Sequence, residues 1–285
     1  MKIVTDAAAN LSAEKAAELG VVVVPFQITF MGKTYRDGVD IQPDDLYRLY
    51  SENPREFSIT SQPSAGDFAS TYEQIQDEEI LSVHLSSGLS GTYASAEQAA
   101  RMLSQRLITV IDSRMVGPAL GWMVETGAHG IKLGWSKERI LEAMKRVKEN
   151  TLTMVTFSDI SHLIHSGRVS HLQGIVASLL KIKPIIGMNP VDGRYSNVGA
   201  EMTMNRAMQK MVRVVHQKFG DHKLRLQLMH GNNLAGVELL KSAVAELLDS
   251  VEDQLVPVTL VLGAHAGPTV VGLAAAPQSL FDFPA

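Results

Sequence analysis

Residues Leu85-Ser86-Ser87-Gly88-Leu89-Ser90-Gly91-Thr92 put four hydroxyls and two glycines where an apolar run stops and a helical pattern starts. The run Glu79-Ile80-Leu81-Ser82-Val83-His84 is short and branched, as a strand is; Tyr93 to Leu103 carries helix formers without Gly or Pro, as a helix does. A strand joined to a helix by a tight turn is the building unit of α/β folds, and the turn suits anions. Unpaired N–H groups at the helix start and the helix dipole favour negative charge, glycine lets a ligand approach the backbone, and hydroxyls add hydrogen bonds. A carboxylate or phosphate fits such a place. Ser, Thr and Gly are also ordinary N-cap and turn residues. Weight for the binding reading comes from a second hydroxyl-rich segment, Thr60-Ser61-Gln62-Pro63-Ser64, which leads into a helical pattern from Ala65 to Gln76. Two such turns converge readily at one edge of a parallel sheet.

Strand and helix patterns alternate along the chain, which is α/β order. Lys2-Ile3-Val4-Thr5 reads as a strand, Ser12 to Leu19 as a helix, Val21 to Val24 as a strand, and Phe26 to Tyr35 as a hairpin turning at Met31-Gly32-Lys33. Pro43-Asp44-Asp45 opens a helix with acid in its first turn. Leu107 to Asp112 is a buried strand, and helices follow at Pro118 to Leu133 and Ser136 to Glu149. A polar patch ending at Asn150 marks a boundary, so two α/β domains are expected, 1–150 and 151–285, the first with a mostly parallel sheet and a ligand held between them. In the second, strands are expected at Thr151 to Phe157, Pro184 to Met188, Leu224 to Met229 and Val256 to Leu262. Helices are expected at Gly174 to Lys181, Thr203 to Phe219 and Leu234 to Leu248, with a turn at Val191 to Arg194 and a loosely ordered tail from Ala274 to Ala285.

Composition removes several classes of function. Twenty-six basic against thirty acidic residues give a net charge of −4, so nucleic acid is not an expected partner. Cysteine is absent, which removes disulfides, thiolate metal sites and cysteine nucleophiles, and with an N-terminus that enters a strand at once this points to the cytoplasm. Leu255 to Ala276 lacks Asp, Glu, Lys and Arg and has the length of a membrane span, but Pro257, His265, Pro268 and three glycines interrupt it. Two buried elements flanking a tight turn describe it better than a transmembrane segment.

His265 lies in Gly263-Ala264-His265-Ala266-Gly267-Pro268, after an apolar run, at the kind of strand end where α/β proteins bind ligands. Arg168, within Ser166-Gly167-Arg168-Val169-Ser170, brings a guanidinium able to fix a carboxylate, or else to bridge domains. His162, His165 and His171 invite a metal reading, yet only Asp159 accompanies them and the spacing matches no zinc motif. No cofactor is expected. A serine hydrolase or phosphotransfer enzyme using Ser87 or Ser90 with His265 is the alternative; the order Ser-Ser-Gly-Leu-Ser-Gly is not the Gly-x-Ser-x-Gly of a nucleophile elbow, and phosphate-loop and dinucleotide fingerprints fail as well. An anion site without an evident nucleophile or base describes a binder, not an enzyme.

The chain resembles the DegV family of bacterial fatty-acid-binding proteins, acyl carriers for fatty acid kinase. The resemblance rests on Thr5-Asp6, Thr60-Ser61-Gln62-Pro63-Ser64, Leu85 to Tyr93, Gly167-Arg168-Val169-Ser170 and His265-Ala266-Gly267-Pro268, and spans nearly the whole chain. It implies two α/β domains with a long-chain fatty acid between them. It further implies carboxylate contacts at Ser87, at Thr60 or Ser61, and at His265, with Arg168 in the same cluster; Arg206 is similar to the basic residue that members turn toward their kinase partner. Two positions depart from the family pattern: Asp6-Ala7 where members read Asp-Ser, and Ser166-Gly167-Arg168 where they read Gly-Gly-Arg. Energetics favour a lipid, since about 0.8 kcal/mol per buried methylene amounts to roughly 10 kcal/mol for an ordinary acyl chain before association costs. Hydrogen bonds to the charged head add about 1.5–3 kcal/mol each and mainly set which end faces outward. Thirteen methionines supply adaptable apolar surface, most of it simply core.

Overall fold

The computed structural model describes residues 1–168, 182–253 and 255–283. In chain order its elements are β1 (Lys2–Asp6), α1 (Ala13–Leu19), β2 (Val22–Val24), β3 (Gln27–Phe30), β4 (Lys33–Arg36), α2 (Pro43–Glu52), β5 (Ile59–Ser61), α3 (Ala65–Gln74), β6 (Glu79–His84), α4 (Thr92–Met102), β7 (Leu107–Asp112), α5 (Pro118–Lys132) and α6 (Lys137–Asn150). There follow β8 (Leu152–Thr156), α7 (Ser161–His165), β9 (Lys183–Met188), β10 (Tyr195–Glu201), α8 (Met204–Phe219), β11 (Leu224–His230), α9 (Leu234–Leu247), β12 (Ser250–Glu252), β13 (Val256–Pro257), α10 (Leu260–Ala266) and β14 (Val271–Pro277). The helix expected at Gly174 to Lys181 lies outside the described residues.

Two large sheets carry the fold. The first, ordered β2-β1-β6-β7, is parallel throughout. The second runs β10-β9-β8-β14-β11-β12 with β13 also on β11, and is mainly antiparallel. A small antiparallel sheet, β4-β3-β5, stands apart. The strand period of two sorts the apolar side chains into layers. On β1 and β6, Val4 and Ile80 face α3 and α4, whereas Ile3 and Leu81 face a central layer that includes α5 and α6. On the second sheet, Ile186 and Met229 face that same central layer, while Met154, Ile185 and Leu226 face α8 and α9. The result is helices, parallel sheet, a central layer, mixed sheet, helices.

Two expectations are overturned at the C-terminal end. Val256 to Leu262 is not a strand: pairing stops at Pro257 and Leu260–Ala266 is helical. Branched residues favour a strand there, but Asp37 Oδ1 and Oδ2 accept the Leu260 and Val261 N–H groups at 3.3 and 2.9 Å and Asn10 Oδ1 accepts that of Thr259 at 2.8 Å, which starts a helix from outside the segment. Nor is the tail loose over its described residues, 274–283. β14 lies between β8 and β11 with Ala274, Ala275 and Ala276 fully buried, and Phe281 beyond it packs edge-on against Trp122 at 5.3 Å. Small side chains let two neighbouring strands and the layers on both faces close around β14.

The hairpin tip between β9 and β10 docks on the turn after β6. Ser86 Oγ donates to the Gly193 carbonyl at 2.6 Å, and Arg114 Nη1 donates to that of Val191. A Cβ added to Gly88 would lie 2.7 Å from the carbonyl oxygens of Asp192 and Gly193. Gly88 thus admits another strand pair rather than a ligand. Gly88→Ala is expected to destabilise the protein by about 1–3 kcal/mol, the usual cost of forcing a rigid contact apart, measured by urea unfolding.

Candidate functional site

Open α/β sheets bind ligands beyond the carboxyl ends of their strands, at the point where strand order reverses. Here that point lies between β1 and β6. Beyond the ends of β6 and β7, against the inner face of the mixed sheet, is a cavity; about 1060 Å³ there is free of protein atoms, open solvent included. Its wall is largely apolar, with Leu85, Phe157, Ile186, Met229, Val261 and Val270 among the lining residues. The polar lining gathers Thr60, Gln62, Ser90, Arg168 and His265, with Thr153 on the mixed sheet.

Each polar group arrives on a different element. Thr60 sits on β5, opposite Ile28 of β3, and strand alternation turns Ser61 away, leaving it exposed. Of the two candidates in that segment only Thr60 lines the cavity. The segment is a short strand leading to the Ser64 cap of α3, not a turn on the parallel sheet. His265 stands in the last turn of α10, where its Nε2 lies 2.9 Å from Thr60 Oγ1. Arg168 adds the one permanent positive charge among the described lining residues, with its Nη1 held by the Ser166 carbonyl at 2.6 Å.

The serines of the turn divide among three tasks. Ser86 binds the hairpin. Ser87, expected to contact the ligand, does not line the cavity: it is exposed, and its N–H and Oγ donate to Asp112 at 3.1 and 2.6 Å. Ser90 lines it instead, with Oγ 2.9 Å from Thr92 Oγ1 and donating to Gln62 Oε1 at 3.3 Å. Both Ser87 and Ser90 fit the motif; their directions are decided by the bend of the turn. Gln62 was missed by sequence reasoning, although its place beside Thr60 and Ser61 was a signal. It joins the two hydroxyl-rich segments, lying against Gly91, where a Cβ would come within 2.6 Å of Gln62 Nε2. Arg206 is exposed on the first turn of α8 and is not among the lining residues.

Electrostatics make His265 a neutral partner. Its ring keeps some surface toward the cavity but is otherwise enclosed, and this desolvation, with the charge of Arg168 adding, lowers its pKa from 6.5 to about 4. Burial also pushes the Tyr195 hydroxyl up to about 12. Asp37, which sequence reasoning did not single out, is pushed up to about 6 by burial, partly opposed by the two N–H groups it accepts. The hydrolase geometry is not formed. His265 Nε2 faces Thr60 rather than a serine, its Nδ1 has no partner among the described residues, and an imidazole held near 4 is a poor base at neutral pH.

Metal-binding groups of three or more His, Cys, Asp or Glu are absent among the described residues. His162 and His165 pack on Phe57 at 5.0 and 4.3 Å, and His171 lies outside the described residues. Within the described residues no helix is long and apolar enough to cross a membrane.

The depressed histidine has a stability consequence. Between pH 6.5 and about 4 the unfolded chain protonates this residue while the folded chain does not, so stability falls as pH drops through that window and levels off below it. His265→Gln should remove a loss on the order of 3 kcal/mol, read as the difference between urea unfolding curves of the two proteins across that pH range.

A family model described as "Uncharacterised protein, DegV family" matches residues 1–278. A DegV domain-containing protein of Staphylococcus aureus strain N315 is 34% identical over 274 residues, covering 95% of this chain and 96% of its own. One from Halalkalibacterium halodurans is 30% identical over 275 residues, covering 95% and 96%. Among solved structures, a fatty-acid-binding DegV family protein from Thermus thermophilus superposes with a TM-score of 0.87 at 27% identity, over 97% of this chain and 99% of that one. DegV of Bacillus subtilis, a fatty acid binding protein, does so with a TM-score of 0.85 at 25% identity, over 96% and 98%. By sequence along almost its whole length and by fold, the chain belongs to the DegV family.

Proposed function

We propose that the protein is a cytosolic carrier that holds a long-chain fatty acid in this cavity, presents its carboxylate to a separate fatty acid kinase, and retains the acyl phosphate. The observation that carries the reading is a largely apolar cavity to which three distant segments bring Thr60, Ser90 and His265, with Arg168 beside them. Hydroxyls and a neutral imidazole supply hydrogen bonds without neutralising the ligand, and Arg168 supplies the counter-charge. Fatty acid binding by the relatives from Thermus thermophilus and Bacillus subtilis supports the same assignment. The carrier itself catalyses nothing; the chemistry belongs to the kinase.

Affinity comes from the tail. Burying methylenes contributes on the order of 10 kcal/mol before association costs, while each head-group hydrogen bond contributes about 1.5–3 kcal/mol and fixes orientation. Mass spectrometry of lipid released on denaturing the purified protein should therefore find a long-chain acid. Finding none, together with no uptake of added fatty acid, would overturn the reading. Ser90→Ala is expected to weaken binding of octadecanoic acid by about 10- to 100-fold, and Ser87→Ala to leave it almost unchanged, by displacement of a fluorescent fatty acid.

Arg206, exposed on α8 and outside the cavity lining, is the proposed contact toward the kinase. Arg206→Glu should slow acyl phosphate formation by kinase and ATP at subsaturating carrier by tenfold or so while leaving fatty acid affinity intact. Loss of affinity, or an unchanged rate, would remove this assignment.

A further inference from the structure

The small sheet β4-β3-β5 holds α10 at both ends. Thr60, on β5, meets His265 of the last turn at 2.9 Å, and Asp37, directly after β4, accepts the Leu260 and Val261 N–H groups of the first turn at 3.3 and 2.9 Å. Asp37 is itself tied to this sheet, since its N–H donates to the Phe26 carbonyl at 2.9 Å. Between the two holds, α10 supplies Val261, Leu262, His265 and Ala266 to the cavity lining. Tyr47 of α2 backs it so closely that a Cβ added to Gly263 would stand 2.5 Å from the Tyr47 hydroxyl.

Asp37 does not line the cavity and is only 6% exposed. Both its oxygens are engaged, Oδ1 with Leu260 and Oδ2 with Val261. Only an ionised carboxylate offers an acceptor to each N–H; a protonated carboxyl, or an asparagine amide, turns one acceptor into a donor that faces an N–H. The groups around Asp37 cannot take its place. Asp6 is acidic and raises the Asp37 pKa, burial pushes that of the Tyr47 hydroxyl up and keeps it neutral, and Arg36, next in the chain, is paired with Asp40 on the surface.

We propose that Asp37 is a positioning residue for the fatty acid: its carboxylate sets the direction of α10, and with it the place of His265 and Thr60 at the head group. This rests on the fatty acid reading above and adds to it a residue outside the cavity. Loss of one N–H partner frees the first turn of α10, and the displacement reaches the ligand through His265 in the last. Acidification acts as substitution does, and its sign separates positioning from fold stability. Burial raises Asp37 from 3.8 to about 6, so its contribution to stability is complete below 3.8 and is lost as pH rises through about 6. Its contribution to binding runs the other way, present above about 6 and lost below.

The test compares wild type with Asp37→Asn, reading affinity by displacement of a fluorescent fatty acid and folding by urea unfolding. At about pH 8 octadecanoic acid is expected to bind folded Asp37→Asn about tenfold more weakly. Octadecanol, whose head does not titrate, is then followed from about pH 8 to about pH 5: wild type is expected to lose about tenfold more affinity than Asp37→Asn. His162, packed against Gly267 at the far end of α10, is common to both proteins and cancels in the comparison. Equal affinities for octadecanoic acid, or equal octadecanol profiles, would overturn the proposal while leaving the carrier reading standing. If Asp37→Asn does not fold, a level octadecanol profile in wild type overturns it alone. Failure of octadecanoic acid to bind wild type would overturn both.

Discussion

The buried Asp37 carboxylate, accepting the Leu260 and Val261 N–H groups, is the interaction on which the site depends. A helix of seven residues does not nucleate itself in water, and this one has no side-chain N-cap of its own. Its start is instead supplied by Asp37 from the turn after β4 and by Asn10, whose left-handed backbone holds Oδ1 against the Thr259 N–H. Asp37 bears the cost as a carboxyl whose pKa is pushed up to about 6. In return α10 has one defined direction, and His265 in its last turn meets Thr60 from a strand 205 residues earlier.

The polar groups of the cavity lining are bonded to one another in the absence of a ligand. His265 stays neutral and is already bonded to Thr60; Ser90 is bonded to Gln62 and Thr92. Such a cluster is preorganised, so a ligand need not pay for ordering its partners. Positive charge comes from Arg168, on the segment after α7, while Thr60, Ser90 and His265 come from three other places in the chain. An arrangement assembled from four segments responds to any shift between the sheets.

A second polar chain lies deeper. Tyr72, Ser82, His84 and Asp6 form consecutive contacts of 2.8, 2.6 and 3.0 Å with no exposed surface. Its Ser-His-Asp composition matches a hydrolytic triad, but complete enclosure gives a substrate no approach to Ser82. What it does is structural. Asp6 Oδ2 also accepts the Leu85 N–H at 2.9 Å, tying the ends of β1 and β6 together where the serine turn leaves the sheet.

Local pattern determined much of this protein: the alternation of strands and helices, the parallel first sheet and the strand-turn-helix at residues 79–103 follow from short-range periodicity, whereas Thr60, Arg168 and His265, which line one cavity, were marked out together by the resemblance to the DegV family. Short-range rules were insufficient wherever the deciding partner lay far away in sequence. Leu260 to Ala266 is helical because Asp37 caps it, β14 is ordered because β8 and β11 enclose it, and Gly88 faces the hairpin at Asp192 rather than a ligand. The exchange of Ser87 for Ser90 has the same origin. Both serines carry the same chemistry, and only the tertiary fold, through Asp112 on one side and Gln62 on the other, decides which hydroxyl turns to the cavity.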